Sequence, residues 1–198
     1  MQDSVVSTHE CFSNSSVAAV EERSQSEIHF WPLAGKTVAA HTLTYLLMGA
    51  LAFHFLHYAD FINKPGSGLR PITDPWVMLG APLQFVRGLL FASVFYPLRS
   101  RLFGAKHGWL RMSWILAGIG ILGTFAAPAG SLEGFIYTTI PLQEQVRGYL
   151  EIVPQALLCS ALLCYWVKHP GKRWLNRMLI LFYGIAVVLP LLAFVTRR

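Results

Sequence analysis

The chain has 198 residues, of which 54% are hydrophobic and only 13% are charged, and its formal net charge is +6. Its mean hydropathy of +0.47 excludes an ordinary soluble domain and predicts an all-α integral membrane protein built as one bundle. The positive charge does not indicate nucleic-acid binding, because the cations lie at the ends of apolar segments and no nucleic-acid motif accompanies them.

Residues 1–36 differ in composition from the rest of the chain. They are rich in Ser and Glu, contain no long apolar run, and begin without the basic cluster of a signal peptide. So few apolar side chains cannot offset the entropy lost on ordering. We therefore expect a disordered polar tail over 1–36, followed by a transmembrane domain over 37–198.

Five segments within that domain are long and apolar enough to cross a bilayer, for which about 20 residues are needed. The third of them is rich in Gly and Ala, which favours close helix packing and predicts a place at the centre of the bundle. The predicted spans are residues 37–58, 76–98, 109–127, 142–167 and 178–195.

The lysines and arginines beside these spans predict an orientation. The loops after the second and fourth spans carry eight of them, whereas the opposite loops carry three. Because short cytoplasmic loops retain positive charge, the amino terminus is expected in the cytoplasm, with the lipid bilayer of a bacterial inner membrane around the bundle. With five spans, the carboxyl terminus is expected on the outer side of the membrane, although the cations of Arg197 and Arg198 at the end of the chain argue against that side.

The segment HFLHYADF, at the outer end of the first span, contains two histidines and a carboxylate. His54, His57 and Asp60 follow one another at intervals of three, which suits a transition metal or a proton relay. The alternative is that these side chains anchor the helix end at the membrane surface. No other span supplies histidines to complete a haem site with His41 and His54, so we expect no cofactor.

The segment PLQFVRGLLF places Arg87 inside the second span, where a charge needs a partner in the bundle interior. Gln84 lies one turn earlier, and Glu151 and Gln155 form a matching stripe on the fourth span. At a rise of about 1.5 Å per residue, Arg87 lies about 18 Å from the basic end of its span, and Gln155 and Glu151 lie about 20 and 25 Å from theirs. The depths predict that the two spans touch and that Arg87 contacts Glu151 or Gln155. Such a pair is either a binding site or a device that fixes helix packing.

The outer loop from Ala127, APAGSLEGFIYTTIPLQEQ, is too short to span the membrane and contains Glu133. It either lies in the interface or dips back as a re-entrant segment, facing the polar stripe, or it is a simple connection. Glu133 is therefore a further candidate binding residue.

The chain carries no P-loop, GxSxG, HExxH or dinucleotide-binding glycine motif, which disfavours an enzyme. The interpretation that we favour is transport of a small solute or proton, or ligand sensing, through a buried polar site between the second and fourth spans. One alternative is a non-catalytic accessory subunit for assembly, immunity or regulation, with a second copy or another membrane protein as its partner. An intramembrane enzyme is the other alternative.

Overall fold

A computed structural model describes residues 28–64, 70–71, 73–122 and 139–196. Its regular structure in these ranges is entirely helical. The helices are α1 (Phe30–Phe55), the short α2 (Tyr58–Ile62), a 3₁₀ turn (Pro75–Leu79) that continues into α3 (Gly80–Phe95), a π turn (Ser100–Gly104), α4 (Gly108–Leu122), α5 (Leu142–Lys168) and α6 (Arg173–Thr196).

Four helical segments are long and apolar enough to cross a membrane, and they correspond to the first, second, fourth and fifth predicted spans. They are Phe30–Phe55, Pro75–Phe95, Leu142–Lys168 and Arg173–Thr196. The third predicted span, 109–127, is helical as far as Leu122, and its last residues lie outside the described part of the chain.

The first helix begins at Phe30, ahead of the predicted start at Thr37. Ile28 already packs against the hydrophobic core, Phe30 meets the ring of Tyr96 edge to face at 5.5 Å, and Leu33 is buried. The prediction of a disordered tail was therefore wrong for residues 30–36, because their apolar side chains extend the buried face of α1. Residues 1–27 lie outside the described ranges.

The centre of the bundle is α1 rather than the glycine-rich third segment. α1 packs against α3, α5 and α6, whereas α4 packs mainly against α5. α1 and α3 approach each other closely at a glycine, where a Cβ added to Gly88 would lie 2.7 Å from Val38 Cα. Glycine also allows the close packing predicted for α4, because a Cβ at Gly120 would lie 2.9 Å from Ile152 Cγ2 on α5.

One end of the bundle, here called the basic end, gathers the start of α1, the turns between α3 and α4, and the connection from α5 to α6. Lys168 Nζ donates to the carbonyl of Ala105 at 3.4 Å across this end, and Cys164 Sγ donates to the carbonyl of Leu102 at 3.7 Å. The lysines and arginines of this end are Arg99, Arg101, Lys106, Arg111, Lys168, Lys172, Arg173 and Arg177.

Candidate functional site

A buried histidine and glutamine link α1 to α3. His41 Nε2 lies 3.1 Å from Gln84 Oε1, and Gln84 Nε2 donates to the carbonyl of Gly80 at 2.9 Å. Because that amide oxygen can only accept, His41 Nε2 is the donor in this arrangement. The ring of Phe91 covers the imidazole edge to face at 4.8 Å. Gln84 thus points into the bundle as predicted, and its partner is on α1 rather than on α5.

The sequence indicated His41 only as a possible haem ligand. His41 lies in the middle of an apolar segment, and a polar side chain in such a position indicates a buried hydrogen bond.

Arg87 forms no ion pair with Glu151 and no hydrogen bond with Gln155, so the predicted contact was wrong. The salt bridges among the described residues are Arg70–Asp74 and Arg147–Glu144, at 2.8 and 3.1 Å. α1 lies between α3 and α5, which explains why matched depths did not bring the two charges together. Arg87 is an exposed side chain of α3, within electrostatic range of His41.

Glu151 has a different partner, the hydroxyl of Tyr58. The Tyr58 hydroxyl lies beside the Glu151 carboxyl group, and a Cβ added to Gly49 on α1 would lie 3.8 Å from Glu151 Oε1. Burial raises the pKa of Tyr58 above its ordinary value, and the neighbouring Glu151 carboxylate raises it further, so Tyr58 remains a neutral hydrogen-bond donor. Within the described ranges, no basic side chain lies at ion-pair distance from Glu151.

The backbone turn between α1 and α2 is what brings Tyr58 to Glu151. α1 ends at Phe55, and His57 adopts a left-handed conformation, with φ of 51°. A continuous helical pattern through HFLHYADF did not predict this break between α1 and α2.

The same turn removes the predicted metal site. His54, His57 and Asp60 are all exposed, and no group of three or more His, Cys, Asp or Glu residues in the described part of the chain is placed to hold a metal ion. The stripe expected from their spacing required an unbroken helix, whereas α1 ends at Phe55 and His57 adopts a left-handed conformation.

Tyr45 lies on α1 between these polar groups. It is within electrostatic range of both Arg87 and Glu151. It also lines an open cavity of about 500 Å³ between α1, the start of α3 and α6. The other residues of this lining are Leu46, Val77, Met78, Gly80, Ala81, Leu189, Pro190 and Ala193.

The remaining candidate residues have separate positions. Gln155 is partly buried on α5, one turn beyond Glu151, and α5 continues through Pro154 without interruption. Glu144 accepts hydrogen bonds from Arg147 at 3.1 and 3.2 Å, so its charge is compensated. Glu133 lies outside the described residues.

Comparison with protein-family models, with curated proteins and with solved structures finds no match to this chain. The class of protein therefore rests on the chain's own features. In the described ranges it is a helical bundle with four helices long and apolar enough to cross a membrane. His41 of α1 is hydrogen-bonded to Gln84 of α3, and Tyr45 of α1 is within electrostatic range of Arg87 and Glu151.

Proposed function

We propose that this protein is an integral membrane protein of the bacterial inner membrane that binds a small solute or a proton, acting in transport or in sensing. In this proposal the basic end and the amino terminus face the cytoplasm, as the distribution of lysine and arginine favours. Glu151 and Tyr58 form the binding site near the opposite end. Tyr45, Gln84, Gln155 and Arg87 are the polar groups that surround it.

The observation that supports the proposal is the burial of the Glu151 carboxyl group and the nature of its neighbours. It lies on a helix apolar enough to cross a membrane, is partly buried, and has a tyrosine hydroxyl but no cation at ion-pair distance among the described residues. A charge taken out of water is costly unless it is paired. Uptake of a proton or a small cation removes that cost, which is why ionisable groups inside membranes are functional-site candidates.

The test compares two glutamates of α5 that differ in their partners. In purified protein, we expect the melting temperature to change with pH or with added sodium or potassium, because a bound proton or cation stabilises the folded state. Glu151→Gln should remove the part of this dependence that comes from binding at Glu151. Glu144→Gln is the matched control and should preserve it, since Glu144 is already paired with Arg147.

Reconstitution into vesicles distinguishes transport from sensing. An internal pH-sensitive dye reports proton entry down an imposed gradient, and we expect flux in the native protein that Glu151→Gln abolishes. Ligand-dependent stability without flux favours sensing. If the native protein shows neither flux nor ligand-dependent stability, or if both glutamate variants behave alike, the proposed site is wrong.

The exposed surface of α6 supports the second candidate, a non-catalytic accessory subunit. Only 6% of its most apolar stretch is buried inside the bundle, compared with 44% for α1. A helix held so loosely presents a long apolar face to lipid, to a second copy of the chain or to another membrane protein. The particle mass in detergent tests for self-association. A partner protein that co-purifies equally with the native protein and with Glu151→Gln would favour this candidate.

A further inference from the structure

We propose that the acidic amino-terminal segment, residues 3–27, binds across the basic end of the bundle and covers its cations. The charges of the described chain are separated between the two ends. The eight lysines and arginines of the basic end have no acidic residue beside them, because the acidic residues in the described ranges are Asp60, Asp74, Glu144 and Glu151, which lie toward the other end.

The cations of the basic end interact with neutral groups. Arg99 donates to the carbonyl of Tyr96 at 3.1 Å and its guanidinium lies 4.5 Å from the centre of that ring. Lys168 donates to a backbone carbonyl, and Lys172 donates to the hydroxyl of Tyr165. The ion pairs of the described residues include none of these side chains. Their positive charge therefore remains uncompensated.

The acidic segment joins the bundle at this same end. Ile28 packs against the core cluster that contains Leu102 and Phe103 of the π turn, and Phe30 contacts Tyr96, the ring beneath Arg99. Consecutive Cα atoms are about 3.8 Å apart, so Glu27 is one such step from the contact made by Ile28. The covalent connection therefore limits how far the acidic segment can lie from these cations.

The two charge sets are complementary. Residues 3–27 contain Asp3, Glu10, Glu21, Glu22 and Glu27 and a single basic residue, Arg23. Each exposed ion pair contributes little, so binding depends on several pairs acting together. Covalent attachment supplies an effective concentration of the order of millimolar, which favours such a weak contact. The segment thereby competes with other anions, including lipid headgroups, for the basic end.

The experiment measures distances between spin labels on the full-length protein in nanodiscs. Cys11 provides one label position within the acidic segment, and Gly171→Cys provides the other at the basic end, where a side chain meets open space. Asn63→Cys, exposed at the opposite end, is the reference position. The buried thiols of Cys159 and Cys164 are shielded from labelling. In neutral lipid at low salt we expect a short, narrow distance to position 171 and a longer one to position 63.

Charge neutralisation tests the cause of that short distance. Glu21→Gln with Glu22→Gln should remove the short-distance population, whereas Ser24→Gln with Ser26→Gln, which leaves the charge unchanged, should retain it. Raising the salt should have the same effect as neutralisation, since the screening length falls from about 30 Å at 0.01 M to about 3 Å at 1 M.

Two results would overturn the proposal. The first is a distance distribution that is the same in both pairs of variants. The second is a short distance that is present in neutral bilayers and lost in bilayers with anionic lipid, which would assign the basic end to lipid headgroups instead. Retention of the short distance in anionic bilayers supports the acidic segment as the occupant.

Discussion

Replacing Gly88 by alanine should weaken the packing of α1 against α3, and the distances between the two helices indicate the loss of stability to expect. The added Cβ would lie 2.7 Å from Val38 Cα and 2.9 Å from Val38 Cγ2. An ordinary contact requires at least 3.4 Å, so the two helices must separate by about 0.7 Å. Because the nearest atom belongs to the backbone, rotation of a side chain cannot relieve the overlap.

The expected cost follows from this displacement. A gap of about 0.5 to 1 Å forfeits a quarter to a half of the dispersion energy of a contact, and overpacking of a core costs about 1–3 kcal/mol. Alanine is the better helix former by up to about 1 kcal/mol, which partly offsets that loss. Gly148→Ala on α5 measures this propensity term alone, because its Cβ meets nothing within 4 Å. We expect Gly88→Ala to be less stable than Gly148→Ala by about 1–3 kcal/mol.

The assay is the free energy of unfolding in mixed micelles, measured on the same preparation for each variant. Gly120→Ala is the matched steric control, since its Cβ would lie 2.9 Å from a side-chain atom, Cγ2 of Ile152, rather than from backbone. It should be closer in stability to Gly148→Ala than to Gly88→Ala. Adding Val38→Ala to Gly88→Ala should restore only part of the loss, because Val38 Cα remains in the way. Equal stability of the Gly88 and Gly148 variants would refute this account of the α1–α3 contact.

Three further predictions concern the polar side chains. Gln84→Leu should cost about 1–3 kcal/mol by leaving buried His41 without its partner, whereas changing both residues to leucine should recover most of the loss in the same unfolding assay. The hydrogen bond from Arg70 lowers the pKa of Asp74 below its ordinary 3.8. The Asp74 carboxylate therefore stabilises the fold at pH values above 3.8, and this stabilisation is lost as the pH falls through the lower pKa that Asp74 has in the folded protein. The melting temperature of Asp74→Asn, measured at acid pH, should therefore lack the decrease that protonation of Asp74 causes. Burial raises the pKa of Tyr58 above its ordinary 10.0. The stability that neutral Tyr58 contributes is therefore present below pH 10.0 and is lost as the pH rises through its higher pKa in the folded protein. Tyr58→Phe should reduce the fall of the melting temperature at alkaline pH.

The sequence by itself determined which segments are helical and which of them are apolar enough to cross a membrane, because both properties depend on local composition and length. It also indicated that Gln84 faces inward, since a polar side chain in an apolar helix needs a buried partner. The extension of α1 to Phe30 was open to the same reasoning, because the apolar residues near Leu33 continue its buried face.

The tertiary structure decided which polar groups meet. Residue counting assigned Arg87 and Glu151 similar depths, but depth along a helix says nothing about which helices are neighbours, and α1 separates the two. The partner of Glu151 is Tyr58, brought there by the left-handed turn at His57, a residue type with no intrinsic requirement for that conformation. Packing between distant segments selects such pairs, because each contact depends on the combined positions of several helices rather than on any local run of residues.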